Sequence, residues 1–390
     1  MNKTSLNRFL LFNFIIMATF NLAHPVTPRL IQELQFPDEM FGIFFALMSV
    51  GSFIMAPIWG SLSDFSGRKR FLLLGVLGYG FAQLGFGLST SIPTISFFRL
   101  LSGGISTSYV TVVMAVVADI CKQSHRAKGM AYLVATTSLG AAVGSMIGGI
   151  IGQENYQYSF FTQFGMCLVL ALLLFLLTGE TLQQKKAGQY TLSLNHLRFK
   201  KPSFELSPLL ITMIMTVALL NITTTAYTST ISYYVESVLQ LPTQLNGLFL
   251  SFAPISAVLV NFFLSPFIAA RFDDSKTLVF TVVTMGLSLL GWALFDGAFA
   301  FIFLFTFLII MPLAQPIYQA IITKLAKDNA GEILGIQSSS RSLGMVIGSL
   351  MSGYIFNIGV KLPFLLGACF SLLAAFILIK NLHKQNKKDA

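Results

Sequence analysis

Charge is what this chain has least of. Only 10% of its 390 residues are charged, and the acids number 15. A soluble domain carries about a quarter of its residues as Asp, Glu, Lys or Arg, so a soluble globular class is excluded. The 55% of hydrophobic residues and the mean hydropathy of +0.75 point instead to a polytopic membrane protein. Cysteine is scarce too: Cys121, Cys167 and Cys369 are scattered and odd in number, with no disulfide framework or metal spacing. The four histidines, His24, His125, His196 and His383, are dispersed. No nucleophile–base pair or metal-ligand set emerges, so an enzyme is not indicated and neither a metal nor a cofactor is expected. No G-x-x-x-x-G-K-[ST] loop is present, which removes ATP as a direct energy source. None of the carboxylates falls deep inside an apolar run.

What is present is hydrophobic length. A membrane helix takes about 20 apolar residues. Twelve such runs are found, at 9–30, 40–61, 71–89, 93–118, 129–151, 158–178, 207–233, 245–268, 277–295, 298–323, 333–356 and 362–380. The first has a basic start and no small-residue cleavage site, so it reads as a membrane helix rather than a removed signal. An even number of crossings puts both termini on one side. That side holds 21 of the 25 basic residues; the other holds Arg29 and Lys361, and Arg99 and Arg341 fall within helices. The asymmetry predicts cytoplasmic termini in a plasma membrane. It also explains the net charge of +10 as a topology signal and not as a nucleic-acid surface. The segment 180–206 is the longest polar stretch, and it divides the chain into a bundle at 1–179, a linker and a bundle at 207–390. The halves repeat: Ser138-Leu139-Gly140, Gly144-Ser145 and Gly149 are matched by Ser342-Leu343-Gly344, Gly348-Ser349 and Gly353. Parallel repeats of six helices are a transporter architecture.

Between the second and third runs lies Gly60-Ser-Leu-Ser-Asp64-Phe-Ser-Gly67-Arg68-Lys69-Arg70. Its glycines permit close approach and positive φ. Gly60, Leu62, Asp64, Gly67, Arg68 and Lys69 match G-x-L-a-D-r-x-G-r-k, so the stretch resembles the signature loop of the major facilitator superfamily. Gly140, Gly144, Gly148 and Gly149 resemble that superfamily's antiporter motif, g-x-x-x-G-P-x-x-G-G, except that Ser145 replaces the proline and Ala131 an earlier glycine. Arg99 in Arg-Leu-Leu-Ser-Gly-Gly resembles its R-x-x-q-G motif, with Ser102 in place of the glutamine. The whole chain looks most like the 12-helix drug:proton antiporter group.

That resemblance implies an all-α fold of two pseudo-symmetric six-helix bundles and alternating access. It assigns proton coupling and gating to Asp64, Arg68, Arg99 and Asp119, with Asp119 pairing with Arg68 and Asp64 near the start of helix 11. Hinge roles go to Gly60, Gly67, Gly140, Gly144, Gly148, Gly149, Gly344 and Gly348. Generic small-residue packing explains the same glycines. Polar residues at membrane depth suggest cavity walls: Asn21, Asn221, Tyr227, Gln315, Tyr318, Gln337 and Arg341. Two readings fit Arg341, a cavity cation that favours anionic substrates or a side chain snorkelling to the interface.

The expected function is proton-coupled efflux of small drug-like or amphipathic molecules by a monomer in a lipid bilayer. A sugar, metabolite or organic-anion carrier of the same fold is the alternative within transport. A non-transporting receptor or scaffold is the alternative outside it.

Overall fold

The computed structural model describes residues 3–182, 207–326 and 330–389. The expected linker therefore lies, from residue 183 onward, outside the described residues, along with the basic residues it carries. Among the described residues the helices are α1 (Lys3–Asn21), α2 (Thr27–Glu33), α3 (Met40–Ser66), α4 (Arg68–Leu88), α5 (Ile92–Ile120), α6 (Arg126–Ile151) and α7 (Tyr156–Leu177). They continue as α8 (Pro208–Ser237), α9 (Thr243–Leu259), α10 (Ser265–Ala269), α11 (Asp274–Leu294), α12 (Gly297–Ala326), α13 (Ala330–Phe356) and α14 (Leu362–Asp389). α1 with α2, and α9 with α10, are interrupted rods, so the fourteen helices make twelve passes. Ten helices among the described residues are long and apolar enough to cross a membrane. α13 is not one of them, because Gln337, Ser338–Ser340 and Arg341 dilute its hydropathy.

Several helices outlast the apolar runs. α3 runs to Ser66 and α12 to Ala326, beyond the expected ends at 61 and 323. Backbone hydrogen bonding does not stop where the hydrocarbon stops, and polar side chains at the ends reach the interface. The expected first helix, 9–30, is broken instead. α1 ends at Asn21 and α2 begins at Thr27 with Pro28 in its first turn. Pro25 and Pro28 supply no N–H, which favours a stop there. The freed carbonyls at the end of α1 are taken by side chains: Gln163 Nε2 donates to Thr19 O at 2.8 Å and Phe20 O at 3.0 Å, and Tyr79 OH to Phe20 O at 2.9 Å. A helix end inside a membrane protein needs such partners. Pro254 and Pro266 flank the other interruption, a π-helical turn at Val260–Leu264, the kind of bulge that relieves a helix next to missing donors.

Two compact units emerge. One holds α1, α2, α3 from Leu47, α4 to α7, and Val235–Pro254; the other holds Pro37–Ala46, α8 up to Tyr234, and the chain from Ile255 on. Each unit thus includes one helix start from the far half of the sequence. Within each, glycine sets the close contacts. In the first unit α6 lies on α1: a Cβ at Gly140, Gly144 or Gly148 would strike the carbonyl oxygens of Phe14, Ala18 and Leu22. In the second, a Cβ at Gly344 or Gly348 would strike those of Ala218 and Ile222 on α8. The partners keep the spacing of the glycines, so the duplication extends from the glycine helices to the helices they touch.

Candidate functional site

At the end that carries the start of α1, the first unit concentrates charge. α3 continues through Gly60 to Ser66, and the turn is one residue, Gly67, with φ 100° and ψ 152°. The expected end of the helix at 61 moves to Ser66 and the turn shrinks to Gly67; Gly60 stays helical, and a Cβ there would meet only Thr111 Cγ2 at 3.4 Å. Local i to i−4 bonding wins because nothing in Gly60–Ser66 removes an N–H. Arg68 opens α4 and is the hub. It reaches Asp64 at 2.6 Å, Asp119 Oδ2 at 3.1 Å and Ser63 Oγ at 2.6 Å. The guanidinium is nearly buried, with 9% of its side chain exposed, and burial with two carboxylates and a hydroxyl leaves its charge matched.

Glu180 completes this cluster. It follows α7, and its carboxylate accepts from the backbone N–H of Arg68 at 2.8 Å and of Lys69 at 3.3 Å. The N–H groups of Thr181 and Leu182 donate to it as well, at 3.0 and 3.1 Å. The first N–H groups of a helix have no internal partner and favour a negative charge. Partial burial raises the Glu180 carboxyl, but the four backbone donors outweigh it and hold the group below the usual carboxylate range. Lys69 ties the same helix end down by donating to Phe175 O at 2.7 Å.

The second unit carries the counterpart with the signs exchanged. Asp273 caps α11 by accepting from the N–H groups of Ser275 and Lys276, both at 3.0 Å. Asp274 then pairs with Lys324 at the end of α12 at 2.6 Å. In the first unit the helix-start residue is the cation and the neighbouring helix end the anion; here the roles reverse. Lys324 is largely exposed, so solvent screens this pair and it contributes little.

Arg99 is 2% exposed on α5, at membrane depth, where a charge costs about 2.5–3.5 kcal/mol or more. Its guanidinium lies 4.8 Å from the Phe86 ring and 3.5 Å from Gln83 Oε1. Gln83 Nε2 in turn donates to Tyr79 OH at 2.9 Å. Arg99 therefore belongs to a network with Tyr79, Gln83 and the Gln163 that caps α1. Sequence reasoning missed these three partners, although Tyr79 and Gln83 sit one turn apart on a helix of otherwise apolar character. Nearby, Asn13 Nδ2 donates to Thr136 Oγ1 at 2.9 Å and Thr137 Oγ1 at 3.0 Å, and Tyr109 OH donates to its amide oxygen at 3.2 Å.

The polar residues of the second unit do not all meet. Gln337 Nε2 on α13 donates to Gln319 Oε1 on α12 at 2.6 Å. Tyr318 is buried on α12, and Asn221 on α8 packs against Gly344 of α13, three residues on from Arg341. Asn221 Nδ2 also donates to Val217 O at 2.7 Å. Asn221, Tyr318, Gln319, Gln337 and Arg341 thus form one polar patch across α8, α12 and α13, with Arg341 exposed. Gln315 is exposed a turn before Gln319. Tyr227 is elsewhere: it is buried with its ring 4.9 Å from Phe307 and 6.3 Å from Phe364, a core position rather than a cavity wall. Asn21 belongs to the first unit, where its amide donates to Met17 O at 2.8 Å.

Two corners of the chain are built on the same backbone. Leu34-Gln35-Phe36-Pro37 with Gly42, and Leu239-Gln240-Leu241-Pro242 with Gly247, share one pattern. Gln35 and Gln240 both adopt positive φ, 53° and 51°. This second internal repeat was legible in the sequence and passed over, since it lies in loops. In the first unit Gly247 packs on Ser145 O and Gly149 of α6; in the second Gly42 packs on Ser349 O and Gly353 of α13. Gly149 therefore faces α9, not α1. Asn357 Nδ2 donates to Glu39 Oε2 at 2.7 Å in one corner, and Gln244 donates to Gln153 in the other.

Helical repeats that place matched glycine contacts, sign-exchanged charge clusters and a polar patch in a membrane define a transporter rather than an enzyme. The profile of the Major Facilitator Superfamily matches residues 9–344 and 268–390, and the chain belongs to that family. It is 24% identical over 387 residues to multidrug resistance protein 2 of Bacillus subtilis, covering 97% of this chain and 94% of that one. It is 21% identical over 385 residues to the quinolone resistance protein NorA of Staphylococcus aureus (strain MRSA252), covering 97% of each. Among solved structures the human organic anion transporter MFSD10 has the same fold, with a TM-score of 0.69 at 19% identity over 96% of this chain and 98% of that one.

Proposed function

We propose that the chain is a proton-coupled exporter of small drug-like or amphipathic molecules that works by alternating access. The observation that carries this reading is likeness along the full length, at 97% and 94% coverage, to a multidrug resistance protein. Two six-helix bundles, 1–179 and 207–390, would rock about a shared pathway, joined by the 180–206 linker, with both termini cytoplasmic and the chain acting as a monomer. In this reading Asp64, Arg68, Asp119 and Glu180 hold the cytoplasmic side, and Arg99 is the buried cation that senses the proton state of its surroundings. Gly140, Gly144 and Gly148 keep α6 on α1, as Gly344 and Gly348 keep α13 on α8. Asn221, Tyr318, Gln337 and Arg341 line the substrate path, with Gln315 at its edge.

A second reading rests on Arg341. An exposed cation, with no carboxylate among the described residues of the patch, suits an organic anion better than an organic cation. One experiment tests both. Purified protein in liposomes with an imposed pH gradient is offered cationic, neutral and anionic dyes. Gradient-driven movement of the cationic or neutral dye supports the drug exporter, and movement of the anion alone supports the second reading. In the latter case Arg341→Ala abolishes the preference. Movement of no dye under any gradient overturns both.

A further inference from the structure

The Leu34–Gly42 and Leu239–Gly247 corners share a backbone but not a chemistry. In the second unit the corner is closed by aromatic rings. Phe41 stacks on Tyr233 with centroids 5.0 Å apart and meets Phe356 edge-on at 5.3 Å. The position that repeats Phe41 in the first unit is Asn246. There the corner is closed by a carboxylate. Glu236, the penultimate residue of α8, accepts from Thr243 Oγ1 at 3.1 Å through one oxygen and from Asn246 Nδ2 at 3.3 Å through the other. Asn246 is fully buried, and the same amide donates to Pro25 O at 2.9 Å. Glu236 thus ties the end of α8 to the start of α9, and the Asn246 amide carries that link on to the connection between α1 and α2.

The charged groups that face Glu236 from α2 are Arg29 and Glu33. Arg29 is already committed: Nε pairs with Glu33 at 2.6 Å, and its terminal nitrogens donate to the carbonyls of Gly152, Gln153 and Glu154. Among the described residues α9 brings only the neutral Thr243, Gln244 and Asn246 to this corner. His24, beside Pro25 in the α1–α2 connection, lies in the field of Arg99. α8 is 30 residues long, and about 20 suffice for the hydrocarbon, so Glu236 sits at an interface that water and protons can reach. A carboxylate withdrawn from water without a cation is costly, whereas the neutral acid is not. Closing this corner and protonating Glu236 therefore favour one another.

We propose that Glu236 is a proton-binding site that latches this corner: the protonated side chain is retained when the corner closes, and its ionisation releases Val235–Pro254 from α2 and the Pro25 connection. The linkage stands on this geometry alone. Its part in transport, as the residue through which acidity on that face favours closure, rests on the proton-coupled reading above.

Hydrogen exchange of the full chain in lipid nanodiscs tests it without transport. The N–H groups of Leu241, Leu245 and Asn246 are bonded within the corner, to Val235 O, Pro242 O and Pro242 O, and report its opening. Protection of this segment, corrected for intrinsic exchange, should fall as pH rises, by up to about tenfold per pH unit where one proton is linked. Glu236→Gln should abolish that fall and leave the segment protected throughout, while the Leu34–Gly42 corner keeps its wild-type profile. Two further variants give signs that a merely structural role does not. Glu33→Gln removes a neighbouring negative charge and frees Arg29, moving the transition to lower pH. Thr243→Val removes a donor to the anion and moves it to higher pH. A wild-type profile that Glu236→Gln does not flatten, or shifts of the opposite sign, would overturn the latch. If the exchange behaves as expected while liposomes show no proton-driven transport, the latch stands and the exporter reading falls.

Discussion

Two glycines of one signature stretch should respond oppositely to alanine. Gly60 lies inside α3 with ordinary φ, and the nearest atom to a new Cβ is Thr111 Cγ2 at 3.4 Å, which is van der Waals contact. Glycine in a helix interior costs about 0.5–1 kcal/mol relative to alanine, so Gly60→Ala should leave stability unchanged or raise it by about that amount. Gly67 has φ 100° and ψ 152°, a region that only glycine occupies readily. A side chain there costs on the order of 1–3 kcal/mol in backbone strain. The new Cβ would also strike the Glu180 carboxylate, displacing an anion from the start of α4 and adding about 1 kcal/mol or more for each charged hydrogen bond lost. The gap between the two variants is therefore about 2–5 kcal/mol. Thermal unfolding followed with a thiol-reactive dye measures it, since Cys121 and Cys167 are buried and Cys369 supplies an exposed baseline. Equal destabilisation by the two substitutions would refute the reasoning, because it would mean that Gly60 is held by something other than its contacts.

Other outcomes follow from the same geometry. Glu180→Gln should lower the unfolding temperature at neutral pH, and the difference from wild type should vanish in acid. The folded-state carboxyl is held low, so its contribution is present above the ordinary carboxylate range and lost as pH falls through the depressed value; a difference that persists unchanged in acid would remove the charge from the explanation. A Cβ at Gly348 lies 2.7 Å from Ile222 O, so Gly348→Ala should cost about 1–3 kcal/mol through overpacking of α13 on α8, whereas the same change at Gly335, with open space around it, should cost nothing measurable in the same melt. Arg99→Lys keeps the charge but cannot hold both the Phe86 face and Gln83; proton-driven transport in liposomes should fall at least tenfold, and full activity would argue against a geometric role.

Much of this protein could be read from composition and periodicity. Twelve passes, the absence of enzymatic chemistry and the duplication follow from hydrophobic length, missing charge and the repeated glycines of α6 and α13, because a bilayer imposes one length scale and one polarity rule on every helix. The pairing of Arg68 with Asp119 is implied by the resemblance of Gly60–Arg70 to the superfamily's signature loop, and the two side chains do meet. Spacing could not say which glycine makes the turn. Gly60 and Gly67 look alike on paper, and only the path of the chain makes one a helix residue and the other the turn.

The remaining decisions belong to tertiary structure. Tyr227 shares the polarity of Tyr318, yet Tyr227 on α8 sits among Phe307 and Phe364 while Tyr318 on α12 belongs to the polar patch, because each helix turns a different face to the core. The halt of α1 at Asn21 depends on Tyr79 and Gln163, which reach its last carbonyls from α4 and α7. Glu236 looks like one more interfacial acid until α9 folds back over it. Sequence determines what each helix can bury; which buried group finds a partner depends on the helix that arrives opposite it, and that arrival is set by contacts far apart in the chain.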